Sequence, residues 1–189
     1  MKMATWNSRG LRGSTLEELI NLTNQLYREK KLALVQKIPT PIKPIKIDQE
    51  SRHITLAYFD QKSTVDYIGV VQGFPICFDA KECGSDRFSL KNIHSHQMEF
   101  MKEFEEQGGI SFFLIYFTNS QLFYYLRYEE ALEYFERAKN GHGNYFKQEE
   151  INQEYVISCK NQIHIHYLEC INKDLLSRKK RSTFHVDKN

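Results

Sequence analysis

The chain has 189 residues, 41% of them hydrophobic and 13% aromatic, which is enough for a single compact domain with a buried core. Its 26 basic and 24 acidic residues leave a net charge of only +2, so overall charge is excluded as an argument for nucleic-acid binding, and such a surface would need local segregation of charge. The four cysteines form no CxxC pair and no zinc spacing with histidine, and no signal peptide or transmembrane run is visible. We therefore expect reduced thiols in a cytoplasmic protein without membrane contacts.

The first part of the sequence predicts an arm, a helix and a strand. Residues 1–11 are expected to form a flexible arm. A helix is predicted from Ser14 or Thr15 to Lys31, because a hydroxyl residue and two glutamates precede apolar side chains at helical spacing. It should pack on a sheet whose first strand covers residues 32–38, before prolines that lack a backbone donor.

Residues 39–60 combine three prolines with basic side chains and two strand-like pieces. We interpret the strand-like pieces, residues 45–47 and 53–58, as a hairpin that protrudes from the core. The basic side chains of this segment are Lys43, Lys46, Arg52 and His53. Composition alone favours the alternative, an ordinary edge hairpin whose basic residues are solvated.

Two stretches rich in β-branched and aromatic residues, 63–72 and 75–82, flank a short turn and predict an antiparallel hairpin. With residues 73–74 as a two-residue turn, Ile68 lies opposite Asp79. Opposite residues share a face of the sheet, so the register decides which side chains meet.

The same register brings three charged side chains together. Asp66 lies opposite Lys81, and Asp79 and Lys81 are two residues apart on one strand, so all three point to one face. A slip of one residue would move Asp66 to the other face. The hairpin therefore predicts one surface with two carboxylates and an ammonium group.

Two neighbouring carboxylates repel each other, and each tends to keep its proton unless a cation lies beside it. Mg²⁺ is the expected occupant because it binds one or two carboxylates together with water and phosphate, and Mn²⁺ is expected to substitute for it. Held by Asp66 and Asp79, it would activate water for attack on a phosphodiester, while Lys81 orients that water or stabilises the pentacovalent phosphorus. The alternative is a cross-strand salt bridge on a solvated face, which needs no metal.

Apolar side chains at helical spacing predict a helix over residues 89–107, before a Gly-Gly pair. Packed beside the hairpin, it would bring the amide oxygen of Gln97 toward the metal or a metal-held water, although a glutamine on a helix is more often simply solvated. His94 and His96 should point in different directions on that helix. They are therefore expected to contact DNA phosphate or to make structural hydrogen bonds rather than to bind metal.

The C-terminal half predicts strands at 110–116 and 121–126 and an amphipathic helix at 128–139. The many aromatic residues of these strands are expected in the core or at a subunit interface rather than stacked on bases, because their alternation is typical of a buried strand. Residues 177–189 contain a basic run and are expected to form a disordered tail, either solvated or in contact with DNA phosphates.

Five short segments follow one another as they do in the RecU family of Holliday-junction resolvases, which belongs to the PD-(D/E)xK nuclease superfamily. They are RGSTLE at 12–17, KIPTP at 37–41, STVDY at 63–67, FDAKE at 78–82 and HSHQ at 94–97. The resemblance runs from about Arg12 to Tyr155, and the ordered set is far more specific than any one motif. At the position of Asp79 the family pattern has Glu, which is one methylene longer, so the placement of the metal is left open.

The resemblance implies an α/β fold, with a restriction-endonuclease-like mixed central sheet flanked by helices, in a domain over residues 12–176. A stalk hairpin at about 39–60 would enter the centre of a four-way junction. By similarity, the magnesium ligands are Thr64, Asp66, Asp79 and Gln97, the side chain that stabilises the transition state is Lys81, and a further acidic residue near the site is Glu17. The side chains expected to contact DNA are Arg12, Lys37, Lys43, Lys46, Arg52, His94 and His96.

The resemblance also implies a homodimer, whose two sites match the two-fold symmetry of a junction and the paired nicks that resolve it in recombination and repair. A RecA-type recombinase and a branch-migration helicase are candidate partners. Two alternatives stay open: a related endonuclease acting on linear duplex, and a non-cleaving DNA-binding or recombinase-modulating protein. The presence of Asp66, Asp79 and Lys81 argues against the non-cleaving alternative.

Overall fold

The computed structural model describes residues 15–60, 64–157 and 165–186, which form four α-helices, three short 3₁₀ helices and ten strands. The helices are α1 (Thr15–Glu29), α2 (Ser95–Glu106), α3 (Tyr128–Lys139) and α4 (Leu168–Val186). The strands are β1 (Ala33–Lys37), β2 (Ile42–Ile47), β3 (Ile54–Phe59), β4 (Tyr67–Val71), β5 (Phe74–Cys83), β6 (Arg87–Ser89), β7 (Ile110–Phe117), β8 (Leu122–Arg127), β9 (Tyr145–Lys147) and β10 (Val156–Ile157). The predicted arm at 1–11, and Arg12 with it, lies outside the described residues.

Six strands form the central sheet, in the order β1-β4-β5-β7-β8-β10. β5 and β7 run parallel, whereas the other neighbours are antiparallel, so the sheet is mixed. α1 packs against β1 and β5, and α2 packs against β7 and β5. This arrangement confirms the predicted α/β fold with a mixed central sheet flanked by helices.

Stacked aromatic rings run across the middle of this sheet as a buried row. Its members, with successive ring centroids 4.7, 4.8 and 4.2 Å apart, are Tyr67, Phe78, Phe112 and Tyr125. Tyr167 packs on Phe78 and on Tyr27 of α1, so the row lies beneath α1. Phe112 and Tyr125 belong to the core, as predicted for the aromatic residues of the C-terminal strands. Because strand residues alternate, Asp79 points to the face opposite to this row.

The turn between β4 and β5 differs from the prediction by one residue. Val71 pairs with Phe74, so the two-residue turn is Gln72-Gly73, and both turn residues have positive φ. Continued beyond the strand, this register brings Asp66 level with Asp79 rather than with Lys81. The observed pairing is shifted by two residues from the predicted one, so each side chain stays on its predicted face of the sheet.

β2 and β3 pair only with each other and form a separate two-stranded sheet, as predicted for residues 39–60. β2 begins three residues earlier than expected, and β3 is shifted by one residue at the predicted length. At the base of this hairpin the Asp60 amide donates to the Pro41 carbonyl at 3.1 Å, and Lys43 pairs with Asp60 at 3.4 Å. Most of its side chains are exposed, including the large apolar residues Ile42, Ile45, Ile47, Ile54, Leu56, Tyr58 and Phe59.

Two predicted boundaries are wrong. α2 begins at Ser95 rather than near residue 89, because residues 87–89 pair with β9 as β6 and Leu90–Asn92 form a separate 3₁₀ helix. The predicted disordered tail is helical through Val186, because Arg178 on α4 binds Glu105 of α2. Arg178 also donates from Nε to Oδ1 of Asp174 at 3.0 Å. Among the described helices, none is both long enough and apolar enough to cross a membrane.

Candidate active site

Asp66, Asp79 and Lys81 lie together on the face of the sheet that α2 covers. The Lys81 ammonium nitrogen is 2.6 Å from Asp79 Oδ2, and the Gln97 amide nitrogen donates to Asp79 Oδ1 at 2.8 Å. Asp66 joins through its Oδ2, which accepts the backbone N–H of Ala80 at 2.9 Å. The three charged side chains therefore share one surface, as the hairpin pattern predicts.

The two carboxylates at this site are short of positive charge. Burial raises the pKa of Asp66 to about 6, and the negative charge of Asp79 adds to the rise, while the Ala80 N–H opposes it. Asp79 is completely buried, and among the described residues its Oδ2 has the Lys81 ion pair but no directed hydrogen bond. One lysine thus faces two carboxylates, which makes the site suited to a further cation.

The kind of cation follows from the ligands that the protein offers. Within residues 15–60, 64–157 and 165–186, no group of three or more His, Cys, Asp or Glu side chains is placed to hold a metal ion. A cation here would be held by two carboxylates and completed by water or other oxygen ligands. Hard divalent cations accept this kind of site, because they bind oxygen and can keep several waters.

The Gln97 amide faces the site with its nitrogen, whereas the prediction has its oxygen facing the metal. The side chain is buried, with its nitrogen on Asp79 and its oxygen accepting the backbone N–H of His94 at 3.1 Å. The oxygen expected at the metal therefore caps the start of α2.

His94 and His96 do not diverge, and that prediction is wrong. His94 is the N-cap of α2 in an extended conformation, outside the helix, so the two-residue spacing does not separate the rings. The rings stack with centroids 5.5 Å apart and planes 11° apart. Their position at the start of α2 places them beside Gln97, at the rim of the site.

Glu17 and Lys37 form an ion pair at 2.8 Å on the α1 side of the site. Burial raises the pKa of Tyr67, and the negative charges of Glu17, Asp66 and Asp79 raise it further. Glu17 is therefore within electrostatic range of the two aspartates. The end of β1 is joined to the site because the Ile38 N–H donates to the Asp66 carbonyl at 2.8 Å.

The remaining predicted residues are spread more widely. Thr64 is half-buried two positions before Asp66. Lys43 and Lys46 lie on β2, and Arg52 lies in the turn of the hairpin with a positive φ of 56°. Sequence reasoning missed the Ala80 N–H that fixes Asp66, and only the strand register could have indicated it, since a backbone donor has no side-chain signature.

The raised pKa of Asp66 predicts that the metal-free protein is held below its attainable stability at neutral pH. The folded-state pKa of about 6 exceeds the value of ~3.9 in an unfolded chain, so the contribution of Asp66 to stability is most favourable at low pH and becomes less favourable as pH rises between these two values. Asp66→Asn cannot ionise and keeps an oxygen for the Ala80 N–H. In EDTA at pH 7.5 we expect it to unfold with a free energy about 2 kcal/mol higher than wild type.

Urea unfolding of both proteins at pH 7.5 and pH 4 measures this effect, and the difference should largely vanish at pH 4. Asp86→Asn, at an exposed aspartate after β5, is the matched control and should leave stability within 0.5 kcal/mol, a roughly neutral change for a surface site. Equal stability of wild type and Asp66→Asn at pH 7.5 would contradict a raised pKa of Asp66 in the folded protein.

Two juxtaposed carboxylates with a lysine, at neighbouring strands of a mixed sheet, are typical of a nuclease, and the family match agrees with this class. Residues 11–173 match the family model described as "Recombination protein U". The chain belongs to the RecU family, which confirms the resemblance seen in its five motifs.

Two relatives, at 37% and 39% sequence identity, agree with this assignment. Proteins named "Holliday junction resolvase RecU" are 37% identical over 172 residues in Limosilactobacillus reuteri, covering 88% of this chain and 84% of the relative, and 39% identical over 170 residues in Leuconostoc mesenteroides, covering 88% and 83%. A solved structure of Archaeoglobus fulgidus Hjc, described as a Holliday junction resolvase, matches with a TM-score of 0.38 and 8% identity, over 62% of this chain and 78% of that one.

Proposed function

We propose that this protein is a structure-specific endonuclease that resolves Holliday junctions by paired, symmetric nicks during recombination and DNA repair. The observation that carries the proposal is the buried Asp79 held between Lys81 and Gln97, with Asp66 beside it, in a member of the RecU family. Relatives that share more than a third of its sequence are named for this activity.

Asp66 and Asp79 would hold a divalent cation, with the Thr64 hydroxyl as a further oxygen ligand. We propose Mg²⁺ as that cation, with Mn²⁺ as a substitute; when bound, it supplies a Lewis acid that acidifies water and neutralises charge on the phosphate. The support comes from the raised pKa of Asp66 and from the buried Asp79 Oδ2 that lacks a directed hydrogen bond. Both observations indicate a pair of carboxylates that gains from a positive charge.

Lys81 supplies a fixed positive charge at the same place. Its ammonium group is held by Asp79, and 17% of its side chain is exposed, so it reaches the surface where a phosphodiester would lie. Negative charge accumulates on the phosphate oxygens as water attacks phosphorus and the bond to the leaving oxygen breaks. An ammonium group oriented in advance stabilises that charge and positions the attacking water.

DNA binding is proposed to come from two surfaces flanking the site. Lys37, oriented by Glu17, lies at the end of β1 beside Asp66, whereas the stacked His94 and His96 lie on the α2 side. The β2–β3 hairpin extends from the domain as a stalk, and we propose that it enters the centre of the junction. Contacts with phosphate would make binding strongly dependent on salt.

Neutralising the hairpin should weaken junction binding and reduce its salt dependence. We expect Lys43→Gln, Lys46→Gln and Arg52→Gln together to lower affinity at least tenfold and to reduce the slope of log affinity against log salt by up to about 3, roughly one per lost phosphate contact. The matched control replaces Lys102, Lys139 and Lys173, exposed lysines on three helices, with glutamine. Titration of a labelled junction at several salt concentrations measures both, and equal slopes for the two variants would refute hairpin contact.

The proposal includes a dimeric state, partner proteins and a cellular location. A homodimer would place two sites in the two-fold symmetry of a four-way junction, so that opposing strands are nicked in pairs. Its other partners would be a RecA-type recombinase and a branch-migration helicase, and its location the cytoplasm.

Cleavage of a synthetic mobile four-way junction, beside a linear duplex of matched sequence, tests the proposed function. Reactions with Mg²⁺, with Mn²⁺ and with EDTA should show symmetric nicks only in the junction and only with metal. Equal cleavage of the linear duplex would instead indicate an endonuclease without junction specificity. Junction binding without cleavage in any metal would indicate a binding protein.

A further inference from the structure

Gln97 is a buried bridge between the catalytic strand and the start of α2. Only 6% of the residue is exposed, its Nε2 lies 2.8 Å from Asp79 Oδ1, and its Oε1 lies 3.1 Å from the backbone nitrogen of His94. Together the two hydrogen bonds link Asp79 to His94, 15 positions later in the sequence, and each end of the amide has one partner.

The partners dictate the orientation of this amide. The N–H of His94 can only donate, whereas the Asp79 carboxylate, ion-paired with Lys81, can only accept. With the amide reversed, its NH₂ group would face the His94 N–H, and its oxygen would face the carboxylate. Two buried hydrogen bonds would be replaced by two repulsive contacts, which strongly favours the observed orientation.

The backbone gives a second reason for keeping the oxygen where it is. Gln97 is the third residue of α2, and its oxygen satisfies the N–H of the N-cap residue, one half of a capping box. Turning that oxygen toward a cation would leave the N–H of His94 without its acceptor at the rim of the site.

We propose that Gln97 is a positioning residue that holds Asp79. This differs from the role that the family resemblance implies, in which Gln97 is a ligand of the metal. By occupying Oδ1, it directs Oδ2 toward Lys81 and the cation, and it ties the carboxylate to the first turn of α2. This inference deepens the proposed function and rests on it, because the placement of Asp79 matters for phosphodiester cleavage.

Hydrogen exchange of the His94 amide reports which role is correct, independently of cleavage. In the wild type, with and without saturating Mg²⁺, exchange of this amide should agree within twofold, because the oxygen never leaves it. Gln97→Met removes the acceptor and should speed exchange about fivefold in the metal-free protein, consistent with one lost hydrogen bond. Faster exchange in the wild type on adding Mg²⁺ would show that the oxygen moves to the metal and would overturn the proposal.

The turnover of Gln97→Glu distinguishes positioning of Asp79 from ligation of the metal. Glutamate keeps an oxygen for His94 and is a better cation ligand than glutamine, yet it cannot donate to Asp79 and repels it. Positioning predicts normal His94 exchange with turnover at saturating Mg²⁺ reduced about 100-fold, in the range seen when metal-site support is lost. Turnover within threefold of wild type would overturn the proposal in favour of a ligand.

Gln107→Glu, at an exposed position just after α2, is the matched control and should leave both measurements unchanged. The two proposals fail in different ways. If wild type cuts neither junction nor duplex, the proposed function fails, while unchanged His94 exchange would still show the amide held on His94. If wild type resolves junctions but Mg²⁺ frees the His94 amide, only the role of Gln97 is overturned.

Discussion

Asp66→Asn is expected to reduce junction cleavage at least 1,000-fold while junction affinity stays within about twofold. The substitution removes one of two carboxylates that would hold the cation, but it leaves the basic hairpin and the Ala80 hydrogen bond in place. Loss of one essential group of a metal-assisted site costs several kcal/mol in the transition state, and each 1.36 kcal/mol is a tenfold change in rate. Single-turnover cleavage and binding of a labelled junction in Ca²⁺ measure the two quantities.

Asp86→Asn removes the same charge from an exposed loop and should cut at the wild-type rate. Since Asp66→Asn is also expected to be more stable than wild type without metal, loss of cleavage could not be ascribed to unfolding. An Asp66→Asn protein that cleaves within tenfold of wild type would remove Asp66 from the active site.

Lys81→Gln is expected to lower the single-turnover rate 100- to 1,000-fold, the usual effect of losing one group that stabilises transition-state charge. The same substitution leaves the buried Asp79 without its ion-pair partner. The comparison should therefore be made at saturating Mg²⁺, after thermal unfolding shows that the variant is folded. Lys81→Arg should restore little, because a planar guanidinium does not reproduce a compact ammonium group.

Lys102→Gln is the control for Lys81→Gln, because Lys102 is an exposed lysine on α2 that pairs only with Glu106 among the described residues. It should leave the cleavage rate unchanged. Cleavage by Lys81→Gln within threefold of wild type would assign Lys81 to the support of Asp79 alone.

The local sequence predicted the elements that depend on local patterns. α3 was predicted at 128–139 and is observed over Tyr128–Lys139, because acidic residues open it and basic residues close it around a regular apolar face. The shared face of Asp66, Asp79 and Lys81 was also predictable. It depends only on strand alternation, which is unchanged by the error of one residue in the turn.

The errors arose where distant segments decide the local structure. Ser89 was predicted to begin the second helix, but it pairs with Tyr145 of β9, 56 positions later. Gln72 takes a positive φ in the turn, a conformation usually left to Gly or Asn, so its residue type did not indicate that the turn begins there rather than at Gly73. The orientation of Gln97 depends on His94 and Asp79 together, and neither residue identity nor spacing specifies which amide atom faces which partner.

The ion pairs of Arg178 decide where this chain can be shortened. Glu105 and Asp174 share that one guanidinium, and the Asp174 side chain is almost completely buried. A fragment ending at residue 176, the expected edge of the nuclease domain, would leave both carboxylates without it, at a cost of about 3 to 5 kcal/mol for a broken buried pair. Because Glu105 lies on the helix that carries Gln97, proteolytic trimming of the basic C-terminus would loosen the support of the active site as well as the fold.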